Sequence, residues 1–358
     1  MPAIRFLAAA LLAALAVCSL GCNPVVETPT TPDLSEALAA PEDFQQELDD
    51  VLSATRARRL SLDEHAAWQI LHGALAFGTD FQVERDGQWV SAVEHLTSGG
   101  RMRGWTTEPG IDLGDGRRGL RAMLEAGSKS GQGHADQWFA VLAQTGLPPE
   151  STIIVDDQTY TMADFVHQVQ WDVPRNVEQE YSWTLIGLTI YLQTDATWTA
   201  ADDQQWSIER LMEIELEHDL YHSACGGTHR LIGLTMALNR HLADGGQLEG
   251  VWQRADDVIQ QAIQDARTYQ NPDGSFSTHY LERPGSSPDL AQNLGATGHV
   301  LEFLTLAMTD DQLREDWVQR GAAHLCQLFR DTKDLPLECG ALYHAAHGLV
   351  MYQERLGE

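Results

Sequence analysis

One phrase recurs at the head of strongly apolar helical runs: small residues, then a histidine, then leucines or alanines. It reads Cys225-Gly-Gly-Thr-His229-Arg-Leu-Ile-Gly-Leu, Asn293-Leu-Gly-Ala-Thr-Gly-His299-Val-Leu and Cys339-Gly-Ala-Leu-Tyr-His344-Ala-Ala-His347-Gly-Leu. A looser copy stands at Gly131-Gln-Gly-His134-Ala-Asp-Gln-Trp. Repetition of this kind points to an array of similar helical units, each burying part of its surface against the next. It specifies an architecture and one face of it, but not a reaction.

From residue 40 onward two kinds of helical segment alternate. The first is amphipathic: Val251, Ala255, Val258, Ile259, Ala262, Ala266 and Tyr269 fall at i, i+3, i+4 spacing, while Asp256, Asp257, Gln260, Gln261 and Asp265 face away. The second is apolar nearly all round, as in Trp183-Thr-Leu-Ile-Gly-Leu-Thr-Ile-Tyr-Leu and Val300-Leu-Glu-Phe-Leu-Thr-Leu-Ala-Met. A helix with no polar face is surrounded by other helices. Pairing the kinds in order predicts half-exposed helices near 41–58, 87–97, 161–171, 203–221, 250–269 and 311–331. Their buried partners fall near 63–77, 133–145, 181–193, 226–242, 294–308 and 339–355. The expected fold is all-α, a single (α/α)6 toroid domain over 41–358, and the rival is an open helical solenoid. One small β-hairpin is expected near 151–162, where β-branched runs flank Asp156-Asp157-Gln158. The glycine-rich stretch Thr97 to Gly119 reads as a mobile loop. Its Arg101, Arg103, Arg117 and Arg118 either cover something negative or pair with the protein's own acidic surface.

The chain begins as an export signal would, with Arg5 before an apolar run from Phe6 to Val17 that is too short to span a bilayer. Ser19-Leu20-Gly21-Cys22 resembles the bacterial lipobox, which makes residues 1–21 a lipoprotein signal peptide and Cys22 the acylated anchor. Cys18, preceded by bulky Val17, is the poorer candidate, and an ordinary secretory signal is the plainer alternative. Residues 22–40, rich in proline and threonine, read as a tether. Partner and location follow as expectations: the membrane, through Cys22, at the cell envelope. Fifty-two acidic against 23 basic residues give a formal charge of −29, a field that repels a phosphate backbone and excludes nucleic acid. The mature body holds Cys225, Cys326 and Cys339, so one disulfide is possible and a disulfide framework is not.

In alternating hairpins the inner helices run parallel, so their N-termini gather at one mouth, with glycine-freed N–H groups and helix dipoles favouring an anionic or polar ligand. The residues expected there are His134, Asp136, Glu180, Ser182, Cys225, Thr228, His229, Arg230, Thr297, His299, Glu302, Glu338, His344 and His347. For acid–base chemistry His229 or His299 is the expected base and Asp136 or Glu180 its carboxylate partner. The plainer role for any one of these histidines is a helix cap or a core hydrogen bond.

Gln270-Asn-Pro-Asp273-Gly274-Ser275-Phe276 resembles the Gln-x-x-Asp-Gly-x-Trp repeat of the terpenoid-cyclase and protein-prenyltransferase superfamily of α/α toroids, with Phe276 in place of tryptophan. The resemblance implies a structural clasp between helix ends, and Asp273 and Ser275 join the candidate ligand-binding residues. No Asp-x-Asp-Asp acid occurs, and no Asp, Cys, His zinc set stands in a prenyltransferase context, so neither activity transfers. Cys225 and His229, four apart, loosely resemble the zinc ligands of lanthionine cyclases, with Cys339 and His344 or His347 to complete a set. Three readings stay open: a toroid binding a polar or carbohydrate ligand, as a hydrolase or lyase needing no cofactor; a non-catalytic scaffolding lipoprotein; and a zinc-dependent enzyme built on Cys225 and His229.

Overall fold

The computed structural model describes residues 44–125, 133–177 and 179–357. The signal-like run, Cys22 and the tether lie outside the described residues. α1 (Phe44–Arg56) and α2 (Ala67–Phe77) are followed by the strands β1 (Gln82–Arg85) and β2 (Gln88–Ser91) and the short α3 (Ala92–Thr97). β3 (Trp105–Gly114) and β4 (Arg117–Leu124) precede α4 (Gln137–Gln144), and β5 (Thr152–Val155) and β6 (Gln158–Thr161) lead into α5 (Met162–Asp172) and then α6 (Ser182–Tyr191). β7 (Thr197–Thr199) and β8 (Gln205–Ser207) run into α7 (Ile208–Glu217). The rest is helical: α8 (Thr228–Ala243), α9 (Gly250–Thr268), α10 (Leu290–Ala307), α11 (Asp310–Leu313), α12 (Asp316–Asp331) and α13 (Cys339–Leu356).

The chain is thus mostly helical with small antiparallel hairpins, and the single hairpin expected near 151–162 is joined by three others. Their turns explain them. Asp86-Gly87 and Asp115-Gly116 both take positive φ, as do Asp156 and Asp157, and consecutive left-handed residues match the twist of a two-residue hairpin. The stretch Thr97 to Gly119, expected as a mobile loop, is largely β3 and the start of β4 instead. Its arginines meet the protein's own groups: Arg101 reaches Asp156 at 2.6 Å, Arg117 reaches Asp164 at 3.3 Å, and Arg118 donates to the Gly110 carbonyl at 2.6 Å. The outer helix expected near 87–97 shrinks to α3, because β2 takes its first half.

The two kinds of helix separate as their patterns require. α9 and α12 bury one stripe, whereas every residue of α10 from Leu294 to Thr305 is buried. Helix contacts run from α2 to α4, α6, α8, α10 and α13 and return from α13 to α2. α1, α5, α7, α9 and α12 each pack against members of this circuit. The most extensive helix–helix contact is α10 on α13, and glycine permits it. A Cβ on Gly298 would stand 2.5 Å from the Ala345 Cα, and one on Gly348 would stand 3.1 Å from the Gly298 carbonyl oxygen.

Two expectations about helix starts are corrected. α10 begins at Leu290, so His299 lies in mid-helix, and His344 and His347 likewise project from inside α13. The N-termini of α10 and α13 are not open to a ligand either. Asp289 accepts from the N–H groups of Ala291 and Gln292, and Glu338 accepts from those of Gly340 and Ala341.

Gly298→Ala therefore sets an overpacking cost of ~1–3 kcal/mol against a helix-propensity gain of ~1 kcal/mol, and it is expected to lower the melting temperature. Gly295→Ala, whose Cβ would meet only Ala341 Cβ at 3.4 Å, should melt at or above the wild type. Thermal unfolding of both variants checks the contact; a Gly298→Ala protein as stable as the parent contradicts it.

Candidate functional site

The circuit of helices brings histidines from five segments to one place. The His229 ring lies 5.3 Å from His134, 5.2 Å from His299 and 5.4 Å from His344, measured between centroids. His299 and His344 are 4.0 Å apart, and His72 of α2 stands 5.0 Å from His344. Trp183 of α6 packs against His229 at 5.0 Å. His72 had no place among the sequence candidates, although Trp68-Gln-Ile-Leu-His72-Gly73 carries the same pairing of an apolar run with a histidine beside a small residue.

Within this cluster most rings are tied down. Glu302 of α10 accepts from Nδ1 of both His344, at 2.8 Å, and His347, at 2.5 Å. Burial works against the Glu302 carboxylate, but the two imidazoles outweigh it and hold its pKa well below the usual range. His72 Nδ1 donates to the Trp68 carbonyl at 2.5 Å, and burial, reinforced by His344, pushes its pKa down to about 3. His299 Nδ1 donates to the Gly295 carbonyl at 2.7 Å, which leaves Nε2 as the free nitrogen. Burial pushes the His299 imidazolium down, yet the adjacent Cys225 sulfur and Glu302 raise its pKa to about 9. His299 Nε2 has no partner in hydrogen-bonding geometry.

His229 is different. The residue is only 3% exposed, and neither ring nitrogen has a partner. Burial, His299, His344 and His134 together drive its pKa well down, so the ring is neutral. An unsatisfied buried polar group costs about 1–3 kcal/mol, and such a group calls for an explanation. Two sets of side chains offer ligand atoms within 4.8 Å of one another: Cys225, His229 and His299, and His134, Glu180 and His229.

His134 forms the opening of the cluster. Its side chain is 29% exposed, and its Nδ1 lies 2.6 Å from Glu180 Oε1. With Glu180, His218, His222 and Ser223 it lines an open groove of about 410 Å³. Another recess of about 440 Å³, between β3 and the β5–β6 hairpin, is lined by Trp105, Trp138, Ile153 and Phe165 and contains no histidine. Of these two recesses, the groove is the one that adjoins the histidine cluster.

Cys225 reaches the cluster through backbone that is not helical. Cys225, Gly226 and Gly227 have φ of +50°, +61° and +79°, and α8 starts only at Thr228. A Cβ on Gly226 would lie 2.3 Å from the Tyr280 ring, and one on Gly227 would lie 2.3 Å from the Leu220 carbonyl oxygen. Cys225, Cys326 and Cys339 are all free thiols. Burial pushes the Cys326 thiol up to about 12 and the Cys339 thiol to about 11.

Several other candidates have structural partners. Arg230 forms a buried pair with Glu215 at 2.8 Å and donates to Ser223 Oγ. Thr228 Oγ1 donates to the Cys225 carbonyl, and Thr297 Oγ1 accepts from the Phe276 N–H. Asp273 Oδ1 accepts from both the N–H and the hydroxyl of Ser275, inside the clasp loop. That loop joins α9 to α12, since Gln270 Nε2 donates to the Gly274 and Trp317 carbonyls and Phe276 packs edge-on to Trp317. Asp136 takes bonds from Thr184 Oγ1 at 2.6 Å and Asn176 Nδ2 at 3.2 Å.

Asp136 also provides a pH test. Desolvation lifts its pKa from 3.8 to about 6, so ionisation opposes folding. That penalty is absent below the unfolded value and complete above the folded one. Asp136→Asn keeps an acceptor for both donors and suits the left-handed φ of +59°. Its melting temperature should exceed that of the parent at about pH 7.5 and match it at about pH 4. An equal gain at both pH values contradicts the shift.

Comparison with protein-family models finds none that matches the chain, and comparison with curated proteins and with solved structures likewise returns no match.

Proposed function

We propose that the circuit of inner helices is an (α/α)6 toroid and that its histidine cluster is the acid–base site of an enzyme, a hydrolase or lyase acting on a polar ligand such as a carbohydrate chain. The observation that carries this reading is the His134–Glu180 pair, which sits where an open groove meets a buried cluster of titratable groups. Glu180 Oε1 faces Nδ1 of His134 at 2.6 Å, so in this reading Nε2 is the nitrogen that takes the proton and the carboxylate orients the ring. His229 and His299, the bases favoured by the sequence, are 3% and 4% exposed. A ligand as large as a sugar meets His134 first. The base is therefore assigned to His134, with Glu180 as the group that orients it.

Export and anchoring belong to the same proposal, with the signal-like run before Cys22 as their support. In that setting the enzyme faces the envelope from a lipid tether, and the acidic surface keeps its body off anionic membrane.

A binding and turnover screen of the full chain against neutral and acidic oligosaccharides is the direct test. For any substrate found, His134→Gln is expected to reduce turnover by ~100-fold or more, within the usual range for general acid–base catalysis. Glu180→Gln should impair turnover less, because it leaves the imidazole in place. Turnover undiminished in His134→Gln removes the assignment.

A further inference from the structure

We infer that Cys225, His229 and His299 form a binding site for a borderline divalent transition-metal ion, with zinc the ion that best suits one thiolate and two imidazoles. The inference rests on ligand geometry and is independent of the reaction proposed for His134.

Three observations converge. First, the ligand atoms of the three residues lie within 4.8 Å of one another, close enough for small rotations to bring them around one ion. Second, the nitrogens free to bind are without partners: either one of His229, and Nε2 of His299, each atom buried. Third, the backbone prepares two of the ligands. The Gly295 carbonyl holds His299 Nδ1 at 2.7 Å and so directs the Nε2 lone pair away from the helix backbone, the arrangement by which outer groups orient metal-binding imidazoles. The left-handed turn Cys225-Gly226-Gly227 brings the sulfur within 4.8 Å of that nitrogen.

The alternative trio, His134, Glu180 and His229, is less suited. His134 and Glu180 already stand 2.6 Å apart as an ion pair and His134 is 29% exposed, whereas the sulfur-containing trio joins a thiol to two buried imidazoles and adds the unsatisfied Nε2 of His299. Binding requires a balance of protons as well. The Cys225–His299 pair releases its one shared proton to solvent as the ion binds, so that a thiolate and two neutral imidazoles are the donors. The site then carries one net positive charge, which the Glu302 carboxylate, held behind the cluster by His344 and His347, offsets. Three protein ligands leave one coordination position open, the pattern of catalytic rather than structural zinc.

The test uses the full chain, stripped with a chelator and then dialysed against zinc or cobalt(II). Elemental analysis should find about one zinc per chain, and the cobalt form should show the near-ultraviolet band of a thiolate–cobalt bond. Cys225→Ser and His299→Asn should each lose both signals while melting as folded proteins. Cys326→Ser, Cys339→Ser and His134→Gln should retain them. A folded wild-type chain that holds no zinc after dialysis overturns the inference. So does zinc that survives Cys225→Ser, or zinc lost in His134→Gln but kept in Cys225→Ser. Because the readout is metal content, a failed substrate screen leaves this result intact, and a failed metal result leaves the His134 assignment to its own experiment.

Discussion

The approach of α10 to α13 governs the rest of the structure. Gly298 and Gly348 remove the side chains that would hold these helices apart, and their backbones come into near contact. Only at that separation can Glu302 on one helix take hydrogen bonds from His344 and His347 on the other. The same approach sets His299 and His344 ring to ring. Packing and chemistry are therefore one feature, since glycines that look like structural filler determine which titratable groups meet.

The cluster that results has two tiers. Inside, His72, His344 and His347 are fixed by carbonyl or carboxylate acceptors, and a buried imidazole with a partner is simply a satisfied core group. His229 stands among them with no partner, next to a sulfur held in strained backbone. Outside, His134 and Glu180 meet the solvent-filled groove. In the proposals above, the inner tier takes a small ion and the outer one a larger organic molecule. His229 connects them, because it belongs to both ligand trios.

Much of this was legible in the sequence. The periodicity separated buried from half-exposed helices, and the small-residue phrases marked His134, His229, His299 and His344, which do converge. Four points were not legible. The Asp-Gly pairs at 86–87 and 115–116 are hairpin signals, yet glycine density around the second read as looseness. The starts of α10 and α13 depend on Asp289 and Glu338 as caps, a local competition that apolar periodicity does not register. His72 sits in a run so apolar that nothing in the sequence sets its ring apart. The roles of Arg230, Thr297 and Asp136 depend on partners far along the chain, in Glu215, Phe276 and Thr184, which only the fold brings near.

The Cys225-Gly226-Gly227 turn bears on how mutations here would be interpreted. Neither glycine has a group that can bind or react, yet Gly226 is walled in by the Tyr280 ring and Gly227 by the Leu220 carbonyl oxygen. A side chain at either position must push against these neighbours, and the turn that carries the sulfur is expected to shift with it. If the proposed site is right, a survey scored only by loss of function would rank these two positions with the histidines, and inertness of a side chain would be no guide to its tolerance.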